Sequence, residues 1–183
     1  MRKERWLGVL VALVALAFAL PLFAADKGMS REDKKFFKEA ASGGMMEVQL
    51  GQLAKDKGQS QEVKDFGARM VTDHGKANDE LKQLAEQKKW TLPTKLERKH
   101  KSMVEKTQKA SGSEFDKLYM KGMVMDHAKD VEDFRKATQK VKDPELKAWA
   151  EKTLPVLEQH HQMAKETAGK VGVDMGKTGK TKY

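Results

Sequence analysis

The sequence predicts an all-α fold, a four-helix bundle with a short extra helix between the two helix pairs. Three observations point there. No stretch alternates apolar and polar residues with period two, as a half-buried strand would. Apolar residues instead recur at three- and four-residue steps. Val63, Phe66, Met70, Ala77, Leu81 and Leu84 do so in one stretch. Phe115, Tyr119, Met123, Val131 and Phe134 repeat the pattern, as do Leu146, Ala150, Thr153, Leu157 and Ala164. Finally, helix-start and helix-stop residues punctuate the chain at helix-length intervals.

Each element follows from its own punctuation. Ser30-Arg-Glu-Asp33 is a capping-box pattern, in which the serine oxygen accepts an N–H and the acid reaches back. It predicts a helix over 31–57. Gly58 in "KDKGQS" stops that helix and Ser60 caps the next, over 61–88, which ends before "WTLPT". Pro93 followed by Thr94-Lys-Leu-Glu97 opens a shorter third helix, again with a capping box, and "ASGS" ends it at Gly112. Ser113-Glu-Phe-Asp116 starts a fourth helix that runs to about 140. Asp143-Pro144-Glu145 puts Asp at the cap and Pro in the first turn of a last helix running to about 168. Pro155 inside it lacks an N–H and is expected to bend it. The domain thus spans 31–169, and a Lys/Gly-rich tail over 170–183 is expected to be disordered. Four long helices with short connections pack most naturally as a bundle.

Residues 1–24 have the layout of a secretory signal peptide. Arg2, Lys3 and Arg5 precede an apolar run from Leu7 to Phe23, and Ala24-Ala25 supplies small residues for cleavage near Ala24. The alternative is an uncleaved N-terminal anchor. Either way the body is expected in the periplasm or associated with the outer envelope. The chain has no cysteine, so it is held by packing alone, and thiolate chemistry and Cys-ligated metal are excluded. A formal charge of +9 raises the question of nucleic acid. Export, the dominance of Lys over Arg and the scarcity of stacking aromatics argue against it. A solvated lysine-rich surface, attracted to an anionic envelope polymer or a protein partner, fits better.

The chemistry lies in the histidines. "RMVTDH" ends at His74 and "GMVMDH" at His127, and both fall on inward apolar stripes: His74 between Met70 and Ala77, His127 between Met123 and Val131. His160 falls likewise between Leu157 and Ala164. On the first helix Glu47 sits among the small residues Ala40, Gly44, Gly51 and Ala54. Each long helix therefore offers one metal-competent side chain to the interior. Three imidazoles and a carboxylate suit zinc, iron or copper. Asp73 and Asp126 lie ~100° around their helices from His74 and His127. Each is placed to reach across to the other helix's histidine as an acceptor that fixes its tautomer. The same residues also admit a metal-free reading, a buried hydrogen-bond network that sets the register of the bundle. Met70, Met123, Met163, Met45 and Met46 lie near these residues, a thioether set that suits Cu(I) or simply fills core gaps. Glu158 and His161 make one Glu-x-x-His pair, whereas a di-iron carboxylate site needs two. His100 carries no assigned chemistry, and no phosphate loop or nucleophile elbow occurs. Catalytic residues are not expected.

Several phrases together resemble one family. "FFKEAASGGMMEVQLGQLAKDKGQSQEVKDFGARMVTDHGKANDELKQLA", "GSEFDKLYMKGMVMDHAKDVEDF" and "DPELKAWAEKTLPVLEQHHQMA" are similar to the bacterial exported family known as domain of unknown function 4142, over residues 32–168. The resemblance implies a ferritin-like four-helix bundle in the periplasm or outer envelope. It places family-type positions at Glu47, Asp73, His74, Asp126, His127 and His160. His161 falls where that family more often has an apolar residue. The family's activity is unassigned, so the resemblance bears on fold and location, and function must be argued from the site.

Overall fold

The computed structural model describes residues 28–174, and the predicted signal peptide and the end of the tail lie outside them. The described chain is all helical: α1 (Arg31–Lys57), α2 (Gln61–Gln87), α3 (Arg98–Lys109), α4 (Gly112–Lys140) and α5 (Pro144–Lys170). No described helix is long and apolar enough to cross a membrane. α1 packs mainly on α2, and α4 on α5, while α2 also borders α5 and α1 also borders α4. The four long helices thus form a ring in the order α1, α2, α5, α4, with α2 diagonal to α4. The short α3 lies against α1 and α4.

Capping residues start three helices as expected. Ser30 Oγ accepts from Asp33 N at 3.1 Å, Ser60 Oγ from Val63 N at 3.3 Å, and the Asp143 carboxylate from Glu145 N and Leu146 N. Two acids predicted to reach back within their own capping boxes are used elsewhere. Asp33 is buried, and its carboxylate accepts from Lys142 N at 2.7 Å and Asp143 N at 3.3 Å, in the α4–α5 connection. Asp116 is equally buried and accepts from Gln59 N and Ser60 N, both at 2.8 Å, in the α1–α2 connection. Each helix pair therefore clamps the hairpin turn of the other, and this sets α1 antiparallel to α4. Charge-assisted bonds of this kind contribute about 1.5–3 kcal/mol each.

The third helix starts later than the Thr94 box predicts, at Arg98. The reason is tertiary: Ser42 Oγ on α1 accepts the Glu97 N–H at 2.7 Å, fixing the chain there. The fourth begins two residues earlier than the Ser113 box predicts, at Gly112, whose φ of +57° suits glycine. At the far end α5 continues to Lys170. Residues 171–173 turn back through Val173 N to Ala168 O at 2.9 Å, and Val171 and Val173 cover core residues, so the tail begins beyond 173. α5 also runs through the exposed Pro155 without interruption.

Two apolar clusters make the core. One gathers Met46, Leu50, Phe66, Met70, Tyr119 and Met123 with their neighbours. The other gathers Phe37, Leu81, Phe134, Leu146, Trp149 and Leu157. On α2, α4 and α5 the two sets are separated by a polar layer at His74, His127 and His160, and Glu47 lies at that level on α1, next to Met46 of the first set. Close approach of α1 and α2 depends on glycine. A Cβ on Gly67 would stand 2.6 Å from Ala54 Cβ and 2.7 Å from the Gly51 carbonyl oxygen, whereas one on Gly75 would meet nothing within 4 Å. Gly67→Ala is therefore expected to destabilise by roughly 1–3 kcal/mol. Gly75→Ala, in an open helical position, is expected to stabilise by about 0.5–1 kcal/mol. Urea denaturation of the two variants checks the opposite signs.

Candidate metal centre

His74, His127 and His160 meet in the polar layer. Each offers a ligand atom, and these atoms all lie within 4.8 Å of one another. The rings are close-set, with centroids 5.5 Å apart for His74 and His127, 5.2 Å for His74 and His160, and 5.4 Å for His127 and His160. All three are buried. They reach one place because each replaces an apolar residue on its helix's inward stripe, at the same height on α2, α4 and α5.

Hydrogen bonds fix two of the three rings. His127 Nδ1 lies 3.0 Å from the Met123 carbonyl oxygen, which can only accept, so Nδ1 carries the proton and Nε2 the lone pair. His160 Nε2 donates to Asp73 Oδ2 at 2.9 Å, which leaves the lone pair on Nδ1. The buried nitrogens without a hydrogen-bond partner are His74 Nε2, His127 Nε2 and His160 Nδ1. Desolvation raises the Asp73 carboxyl, but hydrogen bonds from Arg69 and His160 outweigh it and hold the group ionised, below its ordinary 3.8. Burial pushes His127 down to about 3. Burial, followed by repulsion from His127 and His160, holds His74 well below 6.5. Burial also lowers His160, partly opposed by Asp73. The three rings are therefore neutral at pH 7, the form in which imidazole ligates metal.

The expected Asp–His pairing takes a different form. Asp73 was placed to serve His127, and Asp126 to serve His74. In the structure Asp73 serves His160, and Asp126 faces Glu47 across the α1–α4 interface. The diagonal placement of α2 and α4 is the cause: a side chain ~100° from the inward histidine points at the adjacent helix. That neighbour is α5 for Asp73 and α1 for Asp126.

Glu47 is fully buried, and its Oε1 lies 3.8 Å from His127 Nδ1, the nitrogen already donating to Met123. The structure thus brings three of the four expected side chains to a shared point, with Glu47 flanking them. Burial, then the Asp126 and Asp130 carboxyls, pushes Glu47 well above 4.5. Asp130 was not singled out in the sequence. Burial, then Asp126, pushes it well above its ordinary 3.8 in the same acidic group. Its signal was present: it stands one helical turn beyond Asp126, on the same side of α4. Among the described residues, the buried side-chain atoms lacking a partner are the three imidazole nitrogens, both Glu47 oxygens, Asp126 Oδ2 and the Tyr119 hydroxyl. Most of the unsatisfied polarity of this core falls in one layer.

The other candidates lie apart. Met46, Met70 and Met123 are buried in the apolar cluster below the histidines, and Met163 packs against it. Glu158 accepts from Arg135 at 2.7 Å on the surface, away from the triad. His100 is buried, and its Nδ1 is hydrogen-bonded to Ser42 Oγ at 2.6 Å. Ser42 is fully buried and already accepts from Glu97 N, so this contact pins α3 to α1 and presents no nucleophile.

Comparison with known proteins agrees with the fold and leaves the chemistry to the site. No curated protein matches the chain. The crystal structure of a DUF305 fragment from Deinococcus radiodurans is similar, with a TM-score of 0.68 at 9% identity. It covers 78% of this chain and 98% of that one, a likeness of fold alone. The family profile described as "Domain of unknown function (DUF4142)" matches residues 19–167. With that match spanning most of its length, the chain belongs to the DUF4142 family.

Proposed function

We propose that this protein is an exported, ferritin-like four-helix bundle that binds one transition-metal ion through His74, His127 and His160. We place its role in metal handling or stress protection in the bacterial envelope. The observation that carries the reading is the orientation of the rings. Met123 and Asp73 take the protonated nitrogens of His127 and His160, so the lone pairs left over belong to the buried nitrogens that have no partner. Asp73 acts as the acceptor that ligating histidines commonly have behind them. A metal-free network is disfavoured by the buried imidazole nitrogens, because a stabilising network satisfies its members, and His74 Nε2, His127 Nε2 and His160 Nδ1 have no protein partner.

Three neutral imidazoles suit zinc or copper best and leave a coordination position for water or a small molecule. A cavity of about 160 Å³ between α2 and α5, lined by Asp73, His74, Glu80 and His160, supplies a route to the triad. The chain's own residues hold the ion, orient the rings and exclude bulk water. The site contains no assigned nucleophile, and the reading is of binding and not of catalysis.

Titration of chelator-treated, untagged protein with zinc and cobalt is expected to give one ion per chain with sub-micromolar affinity. Cobalt should produce the visible absorption of a nitrogen-rich site of low coordination number. His74→Ala and His160→Ala should abolish stoichiometric binding, and Asp73→Asn should weaken it about 10–100-fold. A wild-type protein that takes up no ion at stoichiometric level ends the proposal.

The neutral histidines also set the pH dependence of the metal-free protein. Their folded pKa values lie below 6.5, with His127 at about 3 and His100 at about 4. The unfolded chain therefore binds more protons as pH falls below 6.5, and the stability these groups contribute above that pH is lost. Glu47 and Asp130 have the opposite sign: raised in the folded state, they favour folding at low pH and lose that contribution as pH rises. Each fully neutral imidazole adds a slope of up to about 1.4 kcal/mol per pH unit. As pH falls from about 7.5 to about 5.5 the imidazoles lower stability while the two acids raise it, so the imidazole contribution is isolated in the double variant Glu47→Gln/Asp130→Asn, in which these acids no longer titrate. Urea midpoints of that double variant, measured with chelator present, should fall over the interval; a flat or rising midpoint there would mean that the rings charge freely in the fold.

A further inference from the structure

A second, larger feature of the fold is unused by the metal reading. Between α1 and α4 a cavity of about 690 Å³ opens to the surface and reaches inward to α2 and α5. On α1 it is lined by the small residues Ala40, Gly43 and Gly44. Its wall is aromatic. Phe36 meets Phe134 edge-on with centroids 5.0 Å apart, and Phe134 lies 5.4 Å from Trp149. Leu157 and Ala77 continue the apolar lining, and His74 closes the inner end.

The mouth is charged differently from the interior. Lys99 and Lys129 are paired with Glu39, Lys129 also with Asp133, and Lys136 with Glu132. Arg31, Lys35 and Lys140 also line the mouth and form no ion pair among the described residues; Glu32 and Asp130 are the remaining carboxyls of the lining, so cations outnumber acids there. An apolar chamber of this size with a few placed polar groups is the usual form of a small-molecule site. The cations at its mouth select the sign of the ligand.

We propose that this cavity binds a small amphiphilic anion, a medium-chain carboxylate. Its head lies at Arg31, Lys35 and Lys140, and its apolar body lies against Phe36, Phe134, Trp149 and Leu157. A cationic amphiphile meets like charge at the mouth, and a small polar anion gains nothing from the aromatic wall. The inference does not depend on a bound metal, so the test is run with chelator present and its failure leaves the metal reading untouched.

Decanoate is titrated into the full chain below its micelle concentration and followed by calorimetry and by tryptophan fluorescence, which Trp149 reports from the cavity wall. The expected result is saturable binding of one decanoate per chain, at least about tenfold weaker binding of decanol, and none of decyltrimethylammonium. Ala40→Leu, which fills the chamber, should abolish decanoate binding. The surface variant Lys35→Gln/Lys140→Gln, which leaves the core intact, should weaken decanoate about tenfold and leave decanol unchanged. Absence of saturable decanoate binding overturns the proposal. So does equal binding of the cationic amphiphile, an unchanged decanoate affinity in the lysine double variant, or persistence of binding in a folded Ala40→Leu.

Discussion

Burial of ionisable side chains in one layer between two apolar half-cores is the constraint on which this structure depends. Placing an imidazole or carboxyl out of water is costly unless it is neutral, paired or ligated. All three outcomes are visible in the layer or invited by it. The histidines are neutral, Glu47 and Asp130 are pushed toward their protonated forms, and only His160 has an ionised partner, in Asp73. The apolar clusters above and below hold four helices in place strongly enough to keep the layer assembled. The unsatisfied nitrogens and oxygens then define where a ligand would bring the greatest gain.

Helix order turns that constraint into geometry. Because α2 lies diagonal to α4, their histidines approach across the interior while their aspartates turn to the sides. The two halves of the chain are related in detail. Asp33 on α1 holds the α4–α5 turn, and Asp116 on α4 holds the α1–α2 turn. Counting the same number of residues onward from each clamp leads to Glu47 on α1 and to Asp130 on α4. One repeated plan thus supplies the turn clamps and two of the acids beside the triad, while the histidines of α2, α4 and α5 break the symmetry.

Much of this was legible in the residues. Ser30, Ser60 and the Asp-Pro step marked helix starts correctly, because a cap is a local bond between neighbours, whereas the Ser113 box lies inside its helix. The 3.6-residue period put His74, His127 and His160 on inward stripes, and three long helices at matching heights made their convergence readable. Helix order around the ring was not legible, since periodicity says which face is buried and nothing about which helix covers it. The Asp73–His160 bond followed from that order and so was missed. Asp33, Asp116 and the late start of α3 at Arg98 were misjudged for a related reason. A distant partner, a turn amide or Ser42 Oγ, took the bond that a local capping box would have used.

His74, His127 and His160 bring ligand atoms within 4.8 Å of one another, close enough to be tested for a shared ion. Diffraction from a zinc-soaked crystal, with anomalous data collected on both sides of the zinc absorption edge, tests this most directly. A single strong anomalous peak per chain is expected, within bonding distance of His74 Nε2, His127 Nε2 and His160 Nδ1. The contradicting result would be zinc confined to surface carboxylates, with the three rings hydrogen-bonded to ordered water or to one another.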